Sequence, residues 1–177
     1  YQFYSGKGSP VKALERAGKL SESRKLAEDL DILSKRFSLS SIGCMDRYKW
    51  FINRAVELIK PGGVLGFITP NTWLQYPRYR DIRLLLATNG IIESIIDFGQ
   101  HAFSRAHVPS CVVIWKKGED GFGQGFPIAK ISREQWNKVS IDGPEVLRSA
   151  LEKSNQSCIN RSGDIEIPTV SGKSKRI

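Results

Sequence analysis

From Asp46 to Trp73 the apolar and polar residues follow one another in an order that predicts a helix, a turn, a buried strand and a strand-end loop in one pass. Tyr48, Phe51, Ile52, Ala55, Val56 and Ile59 recur every three or four residues, which sets them on one face of a helix, with Arg47, Lys49, Arg54 and Glu57 on the other sides. Lys60 suits the negative end of the helix dipole, and Pro61-Gly62-Gly63 stops the helix and reverses the chain. Val64 to Thr69 is apolar without alternation, the pattern of a strand covered on both faces. In open α/β sheets the loops at the carboxyl ends of strands hold ligands, so Pro70-Asn71-Thr72-Trp73 is where function is sought first.

The same reading extends in both directions. Residues 11–37 predict two helices broken near Gly18, with Leu26, Leu30, Leu33 and Phe37 on one stripe and Ser21 or Ser23 as N-cap. Beyond Trp73, residues 75–80 form a polar, basic loop, and 81–88 a short helix stopped at Asn89-Gly90. A second buried strand follows at 91–98, and the strand, helix, strand order makes it parallel to the first. The loop Gln100 to His107 sets Phe103 alone among polar and cationic residues. A third strand covers 108–116. About nine residues separate it from the second, too few for a helical crossover, so it runs antiparallel to the other two. Residues 118–125 predict a hairpin tip leading to a short strand at 126–131, with helices at 133–137 and 144–154 and a polar tail after them.

Composition narrows the partner. The chain has 177 residues, enough for one core, and 27 Lys and Arg against 18 Asp and Glu, a net charge of +9 that favours a polyanion. Cys44, Cys111 and Cys158 are far apart and form no CxxC, so neither a disulfide framework nor a zinc site is indicated, and a reducing cytoplasm is the expected location. No apolar run reaches the length of a membrane span. The chain opens on Tyr1 without an initiator Met, and a piece of a longer protein is expected.

Most familiar chemistries find no support. His101 and His107 have no ligand spacing around them, and no GxSxG elbow is present. Ser5-Gly6-Lys7-Gly8 lacks the spacing of a phosphate loop, and Asp97-Phe98-Gly99 has no accompanying kinase motifs. What remains is two strand-end loops, 70–80 and 99–107, that carry aromatic and basic residues close together. Such loops suit an unstacked base and its phosphates.

These pieces carry a resemblance. The order D-x-Y-x-x-F on a helix, PGG, a strand ending FITPNTW, an IR-x-L-L helix, an IIDFG strand and F-x-x-x-x-V-x-S-x-V-V-I resembles the second half of the catalytic domain of gamma-class adenine-N6 DNA methyltransferases, as found in type II and IIG restriction-modification enzymes. It covers roughly residues 1–117. The resemblance implies a partial Rossmann-like α/β sheet, two parallel strands plus one antiparallel strand flanked by helices, that holds S-adenosylmethionine and takes a flipped adenine from double-stranded DNA. By position it implies that Phe51, Asp46 and Tyr48 serve the cofactor and that Phe103 stacks on the target base. Arg105, His107, Arg78 and Arg80 would then lie beside DNA. The implied division is a helical lead-in at 1–45, catalytic half-domain at 46–131, and linker with the start of a target-recognition region at 132–177.

The family's glycine-containing cofactor loop, ribose-holding acidic residue and Asn-Pro-Pro-Tyr/Phe motif are absent from these residues, so no catalytic residue is assigned here. The expectation is a fragment that is inactive without an N-terminal half, because positioning and electrostatics are the catalytic means such enzymes have. Two other readings remain open: a non-catalytic DNA-binding or specificity piece (or pseudoenzyme) using the same loops, and an unrelated small α/β domain whose sheet is complete as it stands.

Overall fold

The computed structural model describes residues 9–44, 46–103, 108–167 and 175–176. Helices α1 (Pro10–Arg16) and α2 (Leu20–Arg36) lead through a short 3-10 turn, Ser38–Ser40, to α3 (Arg47–Leu58). Strand β1 (Val64–Pro70) follows, then α4 (Thr72–Gln75), a second 3-10 turn at Pro77–Tyr79, α5 (Arg80–Asn89), β2 (Gly90–Gly99) and β3 (Ser110–Lys117). The rest is β4 (Phe126–Lys130), α6 (Arg133–Asp142), α7 (Glu145–Glu152), β5 (Gln156–Ile159), β6 (Ile165–Ile167) and β7 (Lys175–Arg176).

The sheet runs β1-β3-β2-β4-β5-β6-β7. β3 pairs antiparallel with β1 on one side and β2 on the other, so β1 and β2 point the same way with β3 between them. This is the predicted mixed α/β sheet. One connection differs from prediction. Residues 118–125 do not close a hairpin, because both edges of β3 are already paired; β4 lies on the far side of β2 and runs parallel to it.

Apolar faces determine what lies on each side. Ile52 and Val56 of α3 and Ile82 and Leu86 of α5 pack with Ile95, Val113 and Trp115 of the sheet, and Ile159 and Ile165 join the same core from the last hairpin. On the opposite face Phe98, Ala129 and Ile131 pack with Trp136 and Leu147 from α6 and α7. The segment 132–177 therefore contributes to both layers. Ser132 opens α6 with a capping box, its side chain accepting from Gln135 N while Gln135 returns the bond, a signal present in the sequence three residues apart.

Three expectations need correction. β1 is not covered on both faces: Leu65 and Phe67 pack inward, whereas Val64 and Ile68 are 57% and 50% exposed, since no described residue lies over that face. The buried side of α3 is Lys49, Trp50, Ile52, Asn53 and Val56, while Phe51, placed on the apolar stripe, is 67% exposed. Lys49 turns inward because Asp81 Oδ2 of α5 waits 2.6 Å from its Nζ, and the carbonyls of Ile42 and Cys44 accept from it at 2.9 and 2.6 Å. Finally, α2 starts at Leu20, so Ser23 lies inside the helix. Its hydroxyl donates to Val11 O of α1 instead of capping.

The Lys49–Asp81 pair is removed from water on both sides. Burial pushes the Asp81 carboxyl up, and the lysine beside it opposes that shift. Lys49→Met should therefore destabilise the chain by about 3–5 kcal/mol, because it strands a buried carboxylate, and Lys49→Met combined with Asp81→Leu should recover a large part of the loss. Urea denaturation of the three proteins measures it.

Candidate functional site

The strand register sets two loops side by side. Pro70 and Gly99 both stand opposite Ser110, so the chain leaves β1 and β2 at the same level of the sheet. Asn71 joins the two exits: its Nδ2 donates to Asp97 Oδ1 at 2.8 Å, and its backbone N–H donates to Pro109 O at 2.9 Å. Asp97 Oδ1 also accepts from Gly99 N at 3.0 Å, at the turn where Gly99 takes a φ of 54°. Phe103 stands further along this loop and is 47% exposed. Trp73 shapes the first loop from inside, fully buried with its Nε1–H donating to Thr69 Oγ1 at 3.0 Å.

Below the first loop lies a polar layer. Asp46, 2% exposed, accepts from the Tyr79 hydroxyl at 2.5 Å through Oδ2, while its Oδ1 is buried without a hydrogen-bond partner among the described residues. Tyr48 meets Thr72 Oγ1 at 3.2 Å and stacks on Tyr79 with ring centroids 6.0 Å apart. Burial pushes both phenols well above their ordinary values, so each stays a neutral hydrogen-bonding group. Arg83 is buried as well: it donates to the carbonyls of Trp73 at 2.5 Å and Tyr76 at 3.2 Å, and to that of Gly163 across from the last hairpin. Its guanidinium is pulled below its usual value by burial yet remains charged.

The residues singled out from the sequence fall into groups. Asp46 and Tyr48 meet Tyr79 and Thr72 beneath the first loop. Arg78 is exposed, its guanidinium 5.3 Å from the ring centres of both Tyr76 and Tyr79, and Arg80 is exposed at the start of α5 with its stem against Gly163. Phe51 sits elsewhere. One turn beyond Tyr48, it lines a groove of about 570 Å³ between α2 and α3 with Leu30, Leu33, Phe37 and Trp50, rimmed by Arg47 and Arg54. Arg105 and His107 lie outside the described residues. Lys49, Arg83 and the Asn71–Asp97 link were not found from the sequence, since a buried cation or amide reads like a surface one. The lysine inside an aromatic stretch, YKWF, and an Asp closing an apolar strand were the only local signs.

The described residues thus form a mixed sheet flanked by helices, with the Pro70 and Gly99 loops gathered at one end. Residues 19–103, just under half of the chain, match the family model of the Eco57I restriction-modification methylase. Two curated relatives agree. The type II restriction enzyme and methyltransferase RM.Eco57I of Escherichia coli is 28% identical over 97 residues, 54% of this chain and 10% of that protein. The type II methyltransferase M.BanIII of Aneurinibacillus aneurinilyticus is 35% identical over 134 residues, 72% of this chain and 23% of that protein. The chain thus spans less than a quarter of the length of these relatives. A solved structure described as a class I S-adenosylmethionine-dependent methyltransferase from Listeria monocytogenes shares the fold with a TM-score of 0.51 at 22% identity, covering 68% of this chain and 36% of that one. Among the described residues no helix is long and apolar enough to cross a membrane.

Gly43 gives a direct test of how the polar layer is held. It has a φ of 79°, and a Cβ there would stand 2.3 Å from Arg78 O, so the segment before Asp46 and the turn carrying Arg78 can close only over a glycine. Gly43→Ala should cost about 1–2 kcal/mol from the backbone conformation alone, with the steric clash in addition, and lower the thermal midpoint accordingly.

Proposed function

We propose that this chain is part of a DNA adenine-N6 methyltransferase of a restriction-modification system and that it supplies the target-base and DNA side of the site. One observation carries the proposal: an exposed aromatic, Phe103, on a loop that leaves the sheet level with the Pro70 loop. A half-exposed ring on a polar loop offers a π-face to an extruded base, and such stacking is worth about 1–3 kcal/mol. Arg78, whose guanidinium lies over two tyrosine rings, and Arg80 are assigned the neutralisation of phosphates in this reading. Arg105 and His107 are given the same role on sequence alone.

S-adenosylmethionine, when bound, supplies the electrophilic methyl group. The residues present fit one part of it: Phe51 presents an open ring on α3, and Asp46 keeps one buried carboxylate oxygen without a partner among the described residues. Phe51 would lie against the cofactor's adenine, with Asp46 and Tyr48 holding the start of α3. The groups that orient the amine are assigned to the upstream half of the domain, because the 177 residues contain no Asn-Pro-Pro. The exposed outer face of β1, Val64 and Ile68, is the surface proposed to receive that half. The missing motif also supports a second reading, a non-catalytic DNA-binding or specificity piece.

Transfer of tritium from labelled S-adenosylmethionine to duplex DNA separates the two. The chain combined with its upstream half should label adenine at N6, and the chain alone should neither methylate nor bind the cofactor saturably. Saturable binding by the chain alone would refute the division of labour, and DNA binding without methylation by the combined protein would favour the specificity piece. Phe103→Ala in the combined protein should reduce kcat/KM for DNA by roughly 5- to 150-fold, the equivalent of the lost stacking.

A further inference from the structure

We infer that Asn71 and Asp97 form a clasp that positions the Phe103 loop, and that they contribute to methyl transfer by holding this loop and not by touching the base; the inference rests on the stacking role proposed for Phe103. A single residue secures both ends of the loop. At its entrance the Asn71 side chain donates to Asp97 Oδ1 at 2.8 Å, and the same oxygen accepts from Gly99 N at 3.0 Å. At its exit the Asn71 backbone N–H donates to Pro109 O at 2.9 Å.

Several features show that the link is built. Asn71 stands at the N-cap position of α4, where an asparagine side chain ordinarily accepts a backbone N–H, yet it makes no cap bond and is turned to Asp97 instead. A carboxylate can only accept here, so the amide nitrogen must be the atom facing it. The bond is charge-assisted and Asp97 is 7% exposed, which strengthens the link and fixes its direction. The ladder between β2 and β3 carries a register shift between Asp97 and Gly99, immediately before the loop leaves the sheet, and the Asn71–Asp97 bond lies at that irregularity.

The test uses the methyltransferase assembled from this chain and its upstream half: kcat is measured on duplex DNA with adenine at the target position, and base extrusion on a matching duplex with 2-aminopurine there, which has no 6-amino group to methylate but whose fluorescence rises when the base leaves the stack. Asn71→Ala should lower kcat and the fluorescence rise by about 10- to 100-fold, the order expected from a small misplacement, with KM for S-adenosylmethionine unchanged. Asn71→Asp alone sets two carboxylates together and should lose as much. Asn71→Asp with Asp97→Asn restores a donor–acceptor pair and should recover most of both signals. Wild-type behaviour of Asn71→Ala, or an exchange that recovers nothing, would overturn the clasp; if Asn71→Ala does not fold, the exchange variant decides alone. Phe103→Ala, run in parallel, separates the two levels: a normal rate and fluorescence rise there reject the stacking role and the clasp's purpose with it. A defect in Phe103→Ala without one in Asn71→Ala rejects the clasp only.

Discussion

The arrangement depends on β3 filling both of its edges. Once β1 and β2 pair with it from either side, backbone hydrogen bonding fixes three things together. The carboxyl ends of β1 and β2 come level at Ser110, which places the Pro70 and Gly99 loops side by side. The strand after β3 cannot return against it and crosses instead to the outer edge of β2, which extends the sheet through β4 toward β7. And β1 becomes a terminal strand in the sheet order. A strand inserted antiparallel between two parallel ones therefore sets the site's geometry before any side chain contributes to it.

Cations buried beneath the first loop complete that geometry. Residues 42–44 lie outside any helix or strand, and residues 72–79 hold only the single-turn α4 and a 3-10 turn, so both segments have carbonyls without ladder partners. Lys49 supplies donors to Ile42 and Cys44, and Arg83 to Trp73, Tyr76 and Gly163. Desolvating these charges is costly, and their Coulomb partners alone would not repay it. Multiple carbonyl bonds per cation tie short loops to α5 and to the last hairpin, which apolar side chains could not do because they bring no donors. Helix α5, through Asp81 and Arg83, is thus the common anchor of both segments.

How much of this could be read in advance depended on period and burial. The three main strands and their directions were legible because uninterrupted β-branched runs bounded by Gly and Pro admit few alternatives, and because a loop too short for a crossover forces reversal. The faces of α3 were not. The 3.6-residue pattern counts Phe51 as core and Lys49 as surface, yet tertiary structure reverses both, since an ion pair with Asp81 depends on α5, 32 positions away in sequence. The hairpin expected at 118–125 failed for a related reason: pairing capacity belongs to the sheet, and a local reading cannot see that β3 is already saturated. Of the candidate site, Phe103 was legible as an aromatic in polar surroundings. The Asn71–Asp97 link was not, since nothing local distinguishes an asparagine that caps from one that bonds elsewhere.

Exposure on this molecule has two kinds of cause. Phe103 belongs to a loop whose neighbours in sequence are polar, so solvent around it is what its setting predicts. Val64 and Ile68 differ, because they belong to an apolar run whose composition matches a strand enclosed on both sides, while among the described residues only the Leu65 and Phe67 face is covered. Among the described residues no strand pairs with the outer edge of β1, and natural proteins usually blunt such an apolar edge with charge, proline or a bulge. From Val64 to Thr69 there is none of these, and the register to β3 is unbroken over the whole strand. The proposed assignment accounts for that absence: a strand that is to be paired and covered by more of the same domain needs no device against pairing.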